Sequence, residues 1–289
     1  MIRKVIVPAA GLGTRLFPAT KEQPKEMLPI FSCSNNGNRI VKPIVQMVFE
    51  QLYETGIREF CYVVGKGKRV IENHFMSDFN CIKTLEGLGK NEQAVNLKEF
   101  YQKVDTSKIM WVNQPEPRGF GDAVLMAQPF IQDNPCLVHA GDSFILSKSM
   151  DYIKKLLDAY EKFSADVAFL VLEIDNPKQY GIIEGVEVED EIFRVKTAIE
   201  KPKNPRTHLA IMAMYAFKPK IFKALEIIKN SGNGEIQLTN AIQKLIDWGS
   251  KVYAVKLDDS YSHMDVGNPE RYWNALKLSY SDFCGEHVL

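Results

Sequence analysis

The sequence predicts an α/β fold: a mostly parallel central sheet covered by helices on both faces, with an antiparallel sheet extension. Three observations carry this. Strand-like and helix-like patterns alternate from residue 4 to residue 172, the rhythm of consecutive β-α-β units. Three strand candidates, 181–188, 193–199 and 209–217, then follow with no helix pattern between them, as antiparallel neighbours do. The first strand candidate runs straight into a stretch holding two glycines, an arginine and a lysine, the kind of loop found where parallel strands present a ligand.

In order, strand one covers 4–7 and a helix covers 43–54, with Pro43 in its first turn and Gly56 as its stop. Strand two is 60–64, followed by a short helix over 68–76. Residues 77–106 are polar and mixed, with a helical excursion around 95–104. Then come strand 109–112, helix 122–130, strand 136–139, helix 150–163 and strand 167–172. Beyond the three antiparallel candidates, helices return at 219–229 and 238–248, then strand 252–257 and a closing helix over 269–280. With no repeat, low-complexity tract or separating linker, one domain spanning 1–289 is expected, its rhythm changing near residue 175.

Composition narrows the partners. Across 289 residues, Lys plus Arg and Asp plus Glu number 36 each, so no overall field attracts a nucleic-acid backbone or an anionic membrane. That favours a small-molecule partner. The cysteines (Cys33, Cys61, Cys81, Cys136, Cys284) are odd in number, scattered and without a C-x-x-C pair. Neither a disulfide framework nor a zinc site is indicated, which points to a reducing cytoplasm. Arg3 and Lys4 before an apolar run faintly imitate a signal peptide, but the run is too short and reads as a buried strand. No apolar run reaches the length of a membrane span.

The stretch from Ala9 to Pro29 reads A-A-G-L-G-T-R-L-F-P-A-T-K-E-Q-P-K-E-M-L-P. Gly11 and Gly13 let backbone N–H groups approach an anion that a Cβ would hold off. Arg15 and Lys25 supply cations, and Pro18, Pro24 and Pro29 stiffen the segment. The expectation is a long, stiffened loop facing a phosphate chain, with no good helix before Pro43. Leu16 stands where a dinucleotide loop needs its third glycine, and no G-x-x-x-x-G-K-[ST] run is present.

Further candidates follow strand patterns. Gln114, before Pro115, Pro117, Gly119 and Gly121, carries an amide that suits a pyrimidine imide edge; a solvated turn residue is the plainer reading. Asp142 in H-A-G-D is read as ending strand 136–139, and Asp265 in M-D-V-G follows another strand-like run. Together they suit a magnesium ion, which takes one or two carboxylates plus phosphate oxygens; singly, each also reads as a turn former or cap. His139 reads as a packed strand residue. Glu200 and Lys201 in E-K-P suit a sugar's hydroxyls and a phosphate, although such tripeptides are common on surfaces. Gly181 admits either a sugar ring or an ordinary turn, and 234–239 (G-E-I-Q-L-T) either a helix cap or a substrate contact. Tyr272 and Trp273 read as core or interface.

Taken together, these landmarks resemble the sugar-phosphate nucleotidylyltransferases, and most closely the bacterial and archaeal UTP–glucose-1-phosphate uridylyltransferases. The matching pieces are G-L-G-T-R at 11–15, P-K-E-M-L-P at 24–29, K-P at 42–43, Gln114 with its glycines, G-D at 141–142, Y-G at 180–181, E-K-P at 200–202, G-E-I-Q-L-T at 234–239 and D-V-G at 265–267. They span nearly the whole chain in order. The resemblance implies a Rossmann-like nucleotide-diphospho-sugar transferase fold, with 1–175 mainly nucleotide-binding and 176–289 mainly sugar-binding. It implies UTP and glucose 1-phosphate as substrates, Mg²⁺ as cofactor, no nucleic-acid or membrane partner, and a homo-oligomer, dimer or tetramer. Ala10, Gly11, Gly13, Thr14, Gln114 and Gly119 would hold the nucleotide. Gly181, Glu200 and Lys201 would hold the sugar phosphate, Arg15, Lys25 and Lys201 would be catalytic, and Asp142 and Asp265 would hold the metal. dTTP or another hexose 1-phosphate remains open within the same chemistry. A non-catalytic sugar-nucleotide sensor is the reading from another class, and the retained cations and acids speak against it. The chain departs from the family at Asp122, where such enzymes often carry histidine, and at Ala213, where the pattern usually shows glycine.

Overall fold

Strand β1 (Lys4–Ala9) is buried from its second residue onward, and its side chains alternate between two separate cores. Val5, Val7 and Ala9 join one cluster and Ile6 the other, the period-two signature of a strand covered on both faces. The computed structural model describes residues 2–146, 151–232 and 234–283.

After β1 come β2 (Pro29–Cys33), β3 (Arg39–Pro43), α1 (Ile44–Glu54), β4 (Glu59–Gly65), α2 (Arg69–His74), α3 (Phe79–Gly87), α4 (Asn91–Asp105) and β5 (Lys108–Gln114). The chain continues through α5 (Phe120–Met126), α6 (Gln128–Ile131), β6 (Cys136–His139), β7 (Ser143–Leu146), α7 (Tyr152–Lys162) and β8 (Val167–Glu173). The second half holds β9 (Gly181–Glu189), β10 (Ile192–Glu200), β11 (Leu209–Phe217), α8 (Lys220–Asn230), α9 (Leu238–Asp247), β12 (Val252–Lys256), β13 (Ser262–Asp265) and α10 (Pro269–Phe283). Met150, where the sequence reading starts helix 150–163, lies outside the described residues.

One nine-stranded sheet has the order β5-β4-β1-β6-β11-β8-β12-β10-β9. β4 is parallel to β1 and β5, β1 to β6, and β12 to β8; β10 and β11 run against their neighbours. One face carries α1, α4, α7 and α10 over a core that includes Phe49, Phe60, Tyr62 and Phe100. The other carries α5, α8 and α9 over Ile6, Val63, Phe169 and Phe217. Burying each such side chain contributes about 1.5–3 kcal/mol.

The α/β architecture agrees with the sequence reading, and four local expectations are corrected. β11 is not part of an extension: it inserts between β6 and β8 and is antiparallel to both. Only β9 and β10 lengthen the sheet, beyond β12. The 77–106 segment forms two helices, α3 and α4, the first capped by Asp78, whose carboxylate accepts from the N–H of Asn80 and Cys81 at 3.0 Å each. The 122–130 helix starts two residues earlier and breaks after Met126, with Pro129 entering the next turn. The β2–β3 hairpin falls inside a span read as loop. It is held by α10: the Tyr272 hydroxyl donates to Pro29 O at 3.0 Å, and Phe31 meets the Tyr280 ring edge-on at 5.0 Å. Those partners lie some 240 positions away in the chain, out of reach of local pattern. Among the described residues, no helix is long and apolar enough to cross a membrane.

Candidate active site

The 10–29 stretch leaves the carboxyl end of β1 and stays close to the neighbouring strand. A Cβ at Gly65, the last residue of β4, would lie 2.8 Å from Ala10 O, so only glycine lets the two backbones meet here. Gly13 adopts φ +66° and starts a 3₁₀ turn over Thr14–Leu16. Its carbonyl accepts from Leu16 N at 2.9 Å and from the Thr20 hydroxyl at 2.8 Å. Leu16 is buried and pins the turn, while Arg15 points outward and forms no ion pair with a described residue.

A second 3₁₀ turn, Lys25–Met27, follows Pro24. Its neighbouring side chains go opposite ways. Glu26 is 1% exposed and accepts with both oxygens from Lys68 Nζ, at 2.9 and 2.8 Å. Lys25 lies across Gly11 and donates to Asp142. Burial lowers the affinity of the Lys25 ammonium for its proton, yet Asp142, Glu26 and, further off, Asp265 hold it above its ordinary value. Burial likewise works against the Asp142 carboxylate, and Lys25 and Lys68 keep its pKa below the usual range. Within the Glu26–Lys68 pair, burial pushes the carboxyl up and the ammonium down.

Asp142 does not end the strand, as expected from the sequence. β6 stops at His139, and Ala140 and Gly141 are tied to Ala213 O and Pro8 O at 2.9 and 3.1 Å. The chain then enters β7, a short strand the sequence reading missed. β7 pairs antiparallel with β13, opposing Ser143 to Asp265, and Val266 N donates to Asp142 O at 3.1 Å. This pairing brings Asp142 and Asp265 together across 123 residues of chain. Asp265 has a cation of its own: Arg271 Nη1 donates to Oδ2 at 2.6 Å, and Gly267 N donates to Oδ1 at 2.5 Å. The same guanidinium donates to Gln179 Oε1 at 2.9 Å and lies over the Tyr180 ring. Two acids with two paired cations thus sit beside the glycine turns. His139 is buried as expected, bonded to Ala140 O and Tyr152, and burial lowers its pKa to about 4.

The base-facing end forms around Gln114, the last residue of β5 and 4% exposed. Its Nε2 donates to Asp122 Oδ2 at 2.7 Å. Gly119, at φ +111°, and Gly121 let the 118–121 loop press against Ile236: a Cβ at either would lie 2.7 Å from Ile236 O. Ile236 N donates to Arg118 O at 2.7 Å, and Gly121 N donates to Ile236 O at 2.8 Å. The G-E-I-Q-L-T segment therefore buttresses this loop before it opens α9.

On the remaining side, a Cβ at Gly181 would lie 2.7 Å from Thr239 Oγ1 and 3.2 Å from Glu200 Oε2. Thr239 donates to that Glu200 oxygen at 2.7 Å. Lys201, at φ +44°, keeps its ammonium 3.2 Å from Glu200 Oε1 and about half exposed. Two cavities of about 440 and 430 Å³ share Gly11, Gly13, Thr14, Lys25, Asp142 and Glu235. Asp265, Arg15, Tyr180, Ala213 and Arg271 line the first; Ala10, Gln114, Gly119, Phe120 and Lys201 line the second. Gly181 and Glu200 do not themselves line these cavities but adjoin Tyr180 and Lys201, which do, and the Glu200 side chain is partly exposed. A larger cavity of about 1020 Å³, between the β2–β3 hairpin, α1, α4 and α7, is lined by Lys42 of the K-P pair but by none of the residues expected to bind nucleotide, sugar phosphate or metal.

Sequence reasoning missed Lys68 and Arg271, and gave Glu26 and Thr239 no role of their own within the P-K-E-M-L-P and G-E-I-Q-L-T pieces. Lys68 had a signal, since it sits in a glycine- and lysine-rich turn after a strand, G-K-G-K. Arg271 had none, because it is an ordinary first-turn residue of α10 until β13 sets Asp265 beside it. Trp273 is 68% exposed and therefore not core. Asp142 and Asp265 offer oxygen donors only, a set that suits a hard cation completed by ligand oxygens. No group of three or more acidic, histidine or cysteine side chains placed to hold a metal occurs among the described residues.

Comparison with known proteins gives the family. The nucleotidyl transferase family model matches residues 4–281. A UTP–glucose-1-phosphate uridylyltransferase of Bacillus subtilis is 40% identical over 84% of this chain and 80% of its own length. One from Pseudomonas aeruginosa is 34% identical over 98% and 97%. The crystal structure of a UDP-glucose pyrophosphorylase complexed with UDP-glucose superposes with a TM-score of 0.82 at 28% identity, covering 97% of this chain and 99% of that one. The chain belongs to the nucleotidyl transferase family.

Proposed function

We propose that this protein transfers a uridylyl group from UTP to glucose 1-phosphate, giving UDP-glucose and pyrophosphate. The observation that carries the reading is the pairing of Lys25 with Asp142 and of Arg271 with Asp265, beside glycine turns at the end of β1. The names borne by its relatives supply the substrates. The sugar phosphate oxygen is already anionic, so its in-line attack on the α-phosphorus needs no general base and no protein nucleophile. What the chain must do is bring two anions together and hold them. Arg15, exposed and without an ion-pair partner among the described residues, takes the departing pyrophosphate. Lys25 serves the α-phosphate, and Lys201, half exposed beside the base-side cavity, serves the sugar phosphate.

The nucleotide is held by Ala10, Gly11, Gly13, Thr14, Gln114 and Gly119. Glu200 receives the sugar's hydroxyls, with Gly181 letting the strand lie close. Residues 1–175 then do mainly nucleotide work and 176–289 mainly sugar work within one domain. Asp142 and Asp265 would hold a magnesium ion, which would supply positive charge to the phosphate oxygens. Lys25 and Arg271 pair with these two carboxylates. The protein works in the cytoplasm, consistent with free thiols at Cys61, Cys81 and Cys136. It assembles as a homodimer or homotetramer through the outer side of α10, where Trp273 is exposed; a monomer by light scattering would contradict this. The decisive test is pyrophosphate release over a grid of triphosphates and sugar 1-phosphates. UTP with glucose 1-phosphate is expected to be the best pair, and no release from it would overturn the assignment.

A further inference from the structure

Given the uridylyl transfer proposed above, the geometry points to Asp122 as the residue that sets which pyrimidine the pocket accepts, by fixing how Gln114 presents its amide. Asp122 is fully buried on α5, in the first turn. The nitrogen of Gln114, not the oxygen, faces Asp122 Oδ2 and donates to it at 2.7 Å. The second N–H of that amide has Gly119 O at 3.4 Å. Both donors of Gln114 are thereby taken up inside the protein. The atom left for a ligand is Oε1, at the wall shared with Ala10, Gly119 and Phe120.

A lone-pair oxygen at that wall asks the base for a donor. The imide N3–H of uracil or thymine meets it. Cytosine carries a lone pair at N3 and has to shift to offer its amino group instead. Asp122 has no freedom to reverse this polarity. Its Oδ1 is buried without a hydrogen bond, and the Arg118 guanidinium 3.5 Å away balances its charge. Asp122 is thus a positioning residue: it acts on the base through Gln114.

The test uses the full chain and the isosteric Asp122→Asn, in which residue 122 can donate as well as accept and Gln114 is free to turn over. The kcat/KM ratio for UTP over CTP, with glucose 1-phosphate, is measured alongside calorimetric binding of each nucleotide. The unmodified protein is expected to favour UTP by roughly 10³ or more, since a site built around one donor rejects ligands that lack it. Asp122→Asn is expected to lower that ratio by about 10- to 100-fold, CTP gaining as UTP loses. A ratio unchanged within about threefold overturns the role of Asp122, as does near-equal use of UTP and CTP by the unmodified protein. Absence of any UTP turnover would instead remove the uridylyl reading itself. If Asp122→Asn does not fold, NMR of the unmodified protein decides. The Gln114 side-chain amide protons, identified by their loss in Gln114→Met, should resist exchange with water, and fast exchange overturns the proposal.

Discussion

Removing Lys68 tests whether a buried ion pair holds the turn that carries Lys25. Lys68 and Glu26 have side chains 7% and 1% exposed and share two hydrogen bonds at 2.9 and 2.8 Å. Lys68→Met keeps the unbranched stem and deletes the ammonium, leaving the buried Glu26 carboxylate without its hydrogen-bonded cation. Breaking a buried pair from one side costs about 3–5 kcal/mol, because the remaining charge is uncompensated. Glu26→Gln with Lys68→Met removes both charges at similar volume, and such replacements are often close to neutral. The expectation is therefore a loss of about 3–5 kcal/mol for the single change and recovery of most of it in the double. Urea unfolding followed by tryptophan fluorescence reads this directly. Pyrophosphate release gives the functional side: the single variant should lose kcat/KM as the turn loosens, and the double should regain part of it. Lys68→Met within about 1 kcal/mol of the parent would refute the reasoning, and so would a double variant no more stable than the single.

Lys25→Ala and Asp142→Ala should each cost about 10²–10³ in kcat with the fold retained, the usual effect of deleting one preorganised electrostatic group. Near-normal turnover in both would count against the mechanism. Arg271→Gln should strengthen Mn²⁺ binding to the nucleotide-free protein about tenfold, since a charge-assisted bond of about 1.5–3 kcal/mol no longer has to be broken at Asp265. Electron paramagnetic resonance measures this, and weaker binding would mean that Arg271 instead orients the ligand. Stability should fall with acid. His139 titrates at about 4 when folded against 6.5 as the reference value, so its contribution is present above pH 6.5 and lost as pH falls towards 4. That amounts to about 2 kcal/mol between pH 7 and pH 5, with the depressed Asp142 adding further loss below its reference value of 3.8. His139→Gln should flatten the upper part of this slope in urea midpoints. Gly119→Ala should destabilise by roughly 1–3 kcal/mol, because φ is +111° and the new Cβ meets Ile236 O; a midpoint equal to the parent's would contradict it.

The β-α-β rhythm was legible because buried parallel strands are short apolar runs, and strand 136–139 matches β6 to the residue. The Ala9–Pro29 stretch was legible because its constraints are local: glycines for close approach, prolines for stiffness, cations for phosphate. β7 was not, for it is four residues long and forms by pairing with β13, the strand-like run that ends at Asp265. The same holds for β11, whose apolar run says that it is buried but not which strands lie beside it.

The sequence by itself determined the fold class, the glycine and cation turn after β1, and the residue types able to carry phosphate and metal chemistry. Each of those depends on spacing over a few residues, where backbone angles and side-chain chemistry act directly. Only the tertiary structure decided that Asp142 and Asp265 line one cavity, that Lys25 and Arg271 each claim one of them, that Lys68 pairs with Glu26, and that Asp122 takes the amide nitrogen of Gln114. Those partners are separated by up to 123 positions, and charge at such a distance along the chain is felt only once strand pairing and burial have brought the groups together and removed the water between them.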